Sequence, residues 1–336
     1  MGLIALPIAA ALLSSGPALA QSPQTREPVQ TARPNAPDQN PAFPGQTRAP
    51  QPAEAANVRT ETVATGLPQL WAMEFLPDGR LLVTAKRGTM HVVGGDGTAG
   101  PAIKGVPEVV SRGQGGLLDV ALAPDFARSG MIYFSFSEPR DGGANGTSVA
   151  RARLQTDASG AGALSGTEII FRQTPAYAGN KHFGSRLAFA PDGTLFVTVG
   201  ERSDTPIRDQ AQDISSGLGK VFRINPDGSV PSGNPFVGRA GAQPEIWSYG
   251  HRNLQSAAID ARGRLWTVEH GPRGGDELNR PQAGRNYGWP IITYGLDYSG
   301  APIGAGITSK SGMEQPVYYW DPVIAPSGMA AYDANA

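Results

Sequence analysis

FAPDGTLFVTVGE, residues Phe189–Glu201, reads as a short apolar strand, a tight turn and a second apolar strand. Pro presets φ for the turn, Asp can hydrogen-bond its own backbone, and Gly accepts positive φ. The phrase recurs as FLPDGRLLVTA (Phe75–Ala85), LAPDFARSGMIYFSFS (Leu122–Ser137) and AIDARGRLWTVEH (Ala258–His270). Hairpins repeated at intervals of tens of residues predict an all-β repeat architecture, and four-stranded antiparallel blades around an axis fit it best. Strands such as Leu195–Val199 are apolar on both faces, as expected where a blade packs between two neighbours. A β-sandwich also supplies hairpins, but it does not explain so regular a repeat.

Composition agrees with this reading. The 336 residues include 44 Gly and 30 Pro, and charged residues make up only 17%, a mixture suited to short strands and turns rather than long helices. Lys and Arg total 28 against 29 Asp and Glu, so there is no basic excess for a nucleic-acid partner. With no Cys, disulfides, thiolate metal sites and Cys nucleophiles are excluded. Leu3–Leu13 is an apolar run too short to span a bilayer, and Ala18-Leu19-Ala20 offers small residues for cleavage. Residues 1–20 are therefore expected to be an export signal, leaving a mature protein that is secreted or periplasmic and lacks a membrane span. Residues 21–56 are rich in Pro, Gln, Ala and Thr without hydrophobic period, which predicts a disordered tether. The β domain is expected over 57–336.

Familiar catalytic motifs fail on context. Gly95-Asp-Gly97-Thr-Ala-Gly100 matches a dinucleotide fingerprint, but Pro101 follows and no helix begins there to receive a pyrophosphate. This stretch reads as a hairpin turn. There is no GxSxG elbow and no HExxH, and His91, His182, His251 and His270 include no pair at helical zinc spacing. Three loop stretches are richer in polar groups than turns require: Ala178–Arg186, Ser248–Gln255 and Glu269–Asn279. They fall at strand ends, where propellers place sites around a central channel.

These phrases resemble the soluble quinoprotein glucose/sorbosone dehydrogenase family, especially its bacterial aldose sugar dehydrogenase branch. The match includes Gly113-Gln114-Gly-Gly-Leu-Leu-Asp119, Leu218-Gly-Lys-Val-Phe-Arg223, Asn286-Tyr287-Gly-Trp-Pro290 and Ala325-Pro-Ser-Gly-Met329, in order from about residue 58 to 332. The resemblance implies a six-bladed propeller that oxidises the anomeric carbon of aldoses to lactones, with hydride passing to pyrroloquinoline quinone and onward to a separate electron acceptor. It makes His182 the base that takes the anomeric hydroxyl proton, and Glu201 the carboxylate that orients it. Many members carry Asp at that position. Arg252 matches the cation held near the reducible carbonyl, and Gln114, Asn253 and Gln255 match positions that touch cofactor or substrate. The backbone carbonyls of Gly271 and Pro272 match ligands of a calcium ion beside the cofactor. Glu277, with the backbone of Tyr287, resembles a second, structural calcium site.

One departure stands out. The family continues past the Ala-Pro-Ser-Gly phrase into strands that supply basic residues for the cofactor's carboxylates. Here no Lys or Arg follows Lys310, and the chain given ends at Ala336. A truncated last blade and weakened cofactor binding are therefore expected. Two other functions stay open: a calcium-dependent lactonase-type propeller hydrolase, and a non-catalytic propeller that binds carbohydrate or protein. The first needs carboxylate and Asn side chains converging on one metal. The second needs the blades but not His182, Arg252 and the Gly271-Pro272 turn together.

Overall fold

Each repeated phrase folds as the hairpin its turn residues dictate. Between Phe189 and Leu195, the Ala190 N–H donates to Thr194 O (2.8 Å) and the Gly193 N–H to Ala190 O (2.9 Å), with Gly193 at φ +84°. Only glycine adopts that left-handed conformation without strain. The computed structural model describes residues 26–54, 58–205 and 207–332. The proposed signal, 1–20, lies outside the described residues.

Within them four sheets form, each a meander in chain order. The first holds β1 (Leu70–Phe75), β2 (Leu81–Ala85) and β3 (Thr89–Val93). The second holds β4 (Leu117–Leu122), β5 (Met131–Pro139), β6 (Asn145–Thr156) and β7 (Gly162–Arg172). The third holds β8 (Leu187–Phe189), β9 (Leu195–Val199), β10 (Lys220–Ile224) and β11 (Ile246–Tyr249). The fourth holds β12 (Leu254–Ile259), β13 (Leu265–Glu269), β14 (Asp276–Asn279) and β15 (Tyr318–Trp320). All pairings within the sheets are antiparallel. Helical structure is limited to the single turn α1 (Phe126–Ser129) and two short 3-10 segments among the described residues.

The expectation of six blades is corrected: the described residues build four. Each blade opens with one copy of the repeated hairpin, and there are four copies. Long stretches between copies do not pair into further sheets. Residues 280–317, interrupted by Pro281, Pro290, Pro302 and Pro316, contain only isolated bridges such as Arg273–Leu296 and Ile292–Ile307. Proline removes the donors that a ladder needs. The GxGxxG stretch is a turn, closed by the Gly94 N–H donating to Thr98 O at 2.9 Å.

The first strands β1, β4, β8 and β12 contact one another in succession, so the blades stand side by side about one axis. The alternation of side chains along β9 shows why both its faces are apolar. Leu195, Val197 and Val199 pack, with Phe222 of their own blade, toward Val149 and Phe171 of the second, while Phe196 packs toward the fourth with Leu254 and Leu265. The Phe171 and Phe222 rings lie 4.7 Å apart across the joint between second and third blades.

The Pro-rich stretch departs from a tether with few contacts in its described part. It runs beside β15: the Tyr319 N–H donates to Gln46 O (2.9 Å), the Thr47 hydroxyl to Tyr319 O (2.9 Å), and the Asn35 and Ala36 N–H groups to the Asp321 carboxylate (2.6 and 3.0 Å). Composition measures how little apolar surface such a segment can bury. It does not register that an edge strand offers unpaired backbone groups for pairing.

Phe222→Ala is expected to destabilise the protein by about 3–5 kcal/mol, the usual result of emptying a buried aromatic site. Met73→Ala, at a side chain 56% exposed, is the matched control and is expected to stay within about 0.5 kcal/mol. Urea midpoints of the two variants measure both.

Candidate functional site

An antiparallel meander fixes which loops share an end of the propeller. The segment entering a first strand and the segment leaving the second strand lie at the same end, because the two strands run oppositely. Gln114 precedes β4, His182 precedes β8, and Arg252 and Asn253 precede β12. Lys86 leaves β2, Glu201 leaves β9, and His270 and Gly271 leave β13. Residues up to 185 positions apart in the chain (Lys86 to Gly271) are thereby carried to one end of the axis.

There they are joined by short contacts. His182 Nδ1 lies 2.7 Å from Glu201 Oε2. The Gln114 side-chain oxygen accepts the His182 N–H at 2.7 Å, and Asn253 Oδ1 accepts the Gly184 N–H at 3.2 Å and the Gln255 amide at 3.1 Å. The Glu201 N–H donates to Arg252 O at 3.0 Å, which ties the end of the third blade to the fourth. Arg252 donates Nη1 to the carbonyls of His270 and Gly271 (both 2.8 Å) and Nη2 to the Tyr298 hydroxyl (3.2 Å). Its Nε is buried without a partner among the described residues, and its guanidinium stands 5.2 Å from the Trp289 ring. Close approach is essential here: a Cβ on Gly200 would lie 2.4 Å from His182 O, so only glycine lets the end of β9 meet the His182 loop.

Burial pushes the His182 imidazole below its ordinary pKa, against the opposing pull of Glu201 and aided by Arg252 and His270. For Glu201, burial alone would raise the carboxyl, but His182, Arg252 and the Ser203 N–H outweigh it and hold it below its usual range. The consistent state is an ionised Glu201 accepting Nδ1–H of a neutral His182. That tautomer leaves Nε2 as an acceptor, and no described residue hydrogen-bonds it.

Beside this dyad is a cavity of about 290 Å³ lined by Trp71, Lys86, Gln114, Phe183, Asn253, Gln255 and His270, among others. Flat apolar walls with amide groups and a cation suit a planar, polar, anionic ligand. Lys86 was not singled out in the sequence. The signal was available, since Lys86 directly follows LLVTA as His270 directly follows LWTVE, at the strand end where Glu201 comes one residue later after LFVTV. It places one cation beside the cavity although no basic residue follows Lys310.

The calcium candidates are less evenly assembled. Gly271, Glu277 and Tyr287 line one small cavity with Glu269 and Thr293, while Pro272 is buried with its ring against Gly295. The Gly271 carbonyl already accepts from Arg252. Burial pushes the Glu277 carboxyl up to about 8, with Glu269 and Asp276 adding to the rise. Among the described residues no three His, Asp or Glu side chains converge as a metal cage. A cation there would rest on backbone carbonyls as well as Glu277, and oxygen ligands of that kind suit calcium.

Four meander blades about an axis, with a polar cavity at one end, define a β-propeller protein. A family model for glucose/sorbosone dehydrogenases matches residues 67–336, and the chain belongs to that family. It is 45% identical to aldose sugar dehydrogenase YliI of Escherichia coli strain K12 over 287 residues, covering 84% of this chain and 76% of that protein. The structure of the E. coli soluble aldose sugar dehydrogenase in its apo form superposes with a TM-score of 0.77 at 43% identity, over 82% of this chain and 78% of that one. A PQQ-bound aldose sugar dehydrogenase from Streptomyces coelicolor superposes with a TM-score of 0.68 at 35% identity, over 83% and 76%.

Proposed function

We propose that this protein is a quinoprotein aldose dehydrogenase that oxidises the anomeric carbon of a sugar to a lactone. The observation that carries the reading is the buried His182–Glu201 dyad, set beside a cavity lined by Gln114, Asn253 and Gln255, with the Arg252 carbonyl accepting the Glu201 N–H and the Arg252 charge acting on both members. Pyrroloquinoline quinone, the cofactor this reading assigns, supplies a two-electron hydride acceptor that none of the side chains provides. The chain's own groups do the rest. Neutral His182 takes the proton of the anomeric hydroxyl at Nε2. Glu201 fixes the tautomer and stabilises the imidazolium that results. Arg252 presents fixed positive charge where oxyanion character develops. Gln114, Asn253 and Gln255 supply amide groups to orient bound rings, and Trp71 and Phe183 exclude water. Lys86, on the cavity wall, would supply a cation to a cofactor carboxylate. The reading also assigns calcium to the Gly271–Glu277 region and reoxidation to a separate acceptor. Export to the periplasm rests on the apolar run Leu3–Leu13 and the small residues Ala18-Leu19-Ala20. No helix among the described residues is long and apolar enough to cross a membrane.

His182→Ala is expected to lower sugar-dependent dye reduction by about 10²–10⁴-fold, the usual share of a positioned general base, while cofactor binding persists. Unchanged turnover would remove His182 from the catalytic role. The pH profile carries a sign. Proton abstraction needs neutral imidazole, and burial lowers the pKa of His182 from 6.5, with Glu201 opposing and Arg252 and His270 reinforcing the shift. Activity is therefore present at neutrality, and kcat/KM falls only as pH drops below 6.5. An acidic limb centred above that value contradicts the assignment.

Calcium is expected to raise the melting temperature of the protein. Binding to the folded state alone contributes about 2.7 kcal/mol at a hundredfold excess over Kd. Glu277→Gln is expected to abolish most of that increase without lowering the melting temperature in chelator. Scanning calorimetry with and without calcium tests both parts.

A further inference from the structure

The segment carrying His182 holds a backbone shape that ordinary side chains avoid. His182 has φ +48° and Ser185 φ +94°. Non-glycine residues rarely occupy this region unless the surroundings impose it. Glu201 grips the imidazole, but something must also grip the chain.

Arg202, the next residue, is in contact on both sides of His182. It is fully buried, and Arg202 and Ser203 both have positive φ (72° and 74°). Its Nε donates to Lys181 O at 2.9 Å and its Nη2 to Gly179 O at 2.9 Å. Nη2 also donates to Asn145 Oδ1 at 2.7 Å, and Nη1 to Asn145 O at 3.3 Å. The guanidinium lies 4.0 Å from the Phe183 ring. Asn145, at the start of β6, completes the clamp: its side-chain amide donates to Gly179 O (2.9 Å), and its backbone exchanges two hydrogen bonds with Tyr177, each 3.0 Å. Residues 177, 179, 181 and 183 are thus all held, and His182 is the side chain left to reach Glu201.

No carboxylate pairs with Arg202 within salt-bridge distance among the described residues; its partners are carbonyl oxygens, one amide and the Phe183 and Tyr177 rings. An unpaired buried cation is a poor way to gain stability. It is a good way to fix geometry, because the planar fork of arginine addresses several acceptors at set angles and lysine's single ammonium does not. We propose that Arg202 is a positioning residue for the reaction, and that it sets the His182 imidazole against Glu201 by clamping the backbone on both sides. The proposal rests on His182 being the base.

The test uses the full protein labelled with 15N-histidine, which contains four histidines. His182 and His251 each place Nδ1 within hydrogen-bond distance of a buried glutamate, 2.7 Å from Glu201 and 3.0 Å from Glu269. His182→Ala assigns the first Nδ1–H signal, and the second serves as an internal control. In Arg202→Lys the His182 signal is expected to shift or exchange away while the His251 signal stays. In the cofactor-loaded protein kcat is expected to fall by about 10–100-fold, the scale of a misplaced catalytic group, with the sugar KM little changed. A retained His182 signal with unchanged kcat overturns the proposal. If Arg202→Lys also loses the His251 signal, the fold itself has failed, and Asn145→Ser decides. That variant is expected to perturb the His182 signal alone, and an unchanged signal overturns the clamp. Full activity in His182→Ala would refute the base assignment instead, while the Nδ1–H signals would still report on the clamp.

Discussion

Arg186 holds the axis of the molecule together. It sits one residue before β8, and its guanidinium contacts each of the other three blades. Nη1 donates to Asp119 on β4 at 2.9 Å, Nε donates to the Gln255 carbonyl on β12 at 2.7 Å, and the group stands 4.3 Å from the Trp71 ring on β1. Nη2 reaches Ser327 O in the last described segment at 2.9 Å. Asp119 in turn accepts the Leu187 N–H at 2.8 Å. Burial pushes the Asp119 carboxyl upward despite Arg186, and Glu74 behind it is pushed up to about 7 by burial and by Asp119. Arg186 opposes that rise at both carboxyl groups, strongly at Asp119 and only slightly at Glu74. Removing a partner from such a group leaves a buried charge uncompensated, a larger loss than the pair's own contribution. Because Gln255 and Trp71 also border the cavity, the same cation that joins the blades shapes the site.

The site extends this arrangement outward from the axis. Its polar residues are each held by a neighbouring blade: His182 by Gln114, Gly184 by Asn253, Glu201 by Arg252. No blade contains the dyad, the amides and the guanidinium by itself. Glu269 shows the same economy. It accepts from the Arg252 N–H (2.6 Å), lies 3.0 Å from His251 Nδ1, and accepts from Asn279 (2.8 Å). Ser248 Oγ meets the other nitrogen of His251 at 2.9 Å. The Ser–His–Glu order looks like a hydrolytic triad, but Ser248 is fully buried and the network fixes the Arg252 backbone instead.

The chain determined its hairpins locally. Pro-Asp-Gly turns between apolar runs leave the backbone few alternatives, and the four copies mark the first two strands of each blade. The polar loop stretches 178–186, 248–255 and 269–279 were visible as departures from turn chemistry. Blade number was not legible in the same way, because the resemblance implied six and whether a segment such as 280–317 pairs depends on partners far away in sequence. The contact between residues 35–48 and β15 was hidden for a related reason: backbone hydrogen bonding carries no side-chain signature. Lys86 and Arg202 could be located by aligning the repeats, but their partners could not. What the sequence determined by itself was the strand–turn–strand rhythm and the set of polar residues at strand ends. Only tertiary structure decided which of these meet, since contacts such as His182–Gln114 and Arg186–Gln255 join residues about 70 apart. Those distances are set by how twisted sheets pack around an axis, and no local preference encodes that.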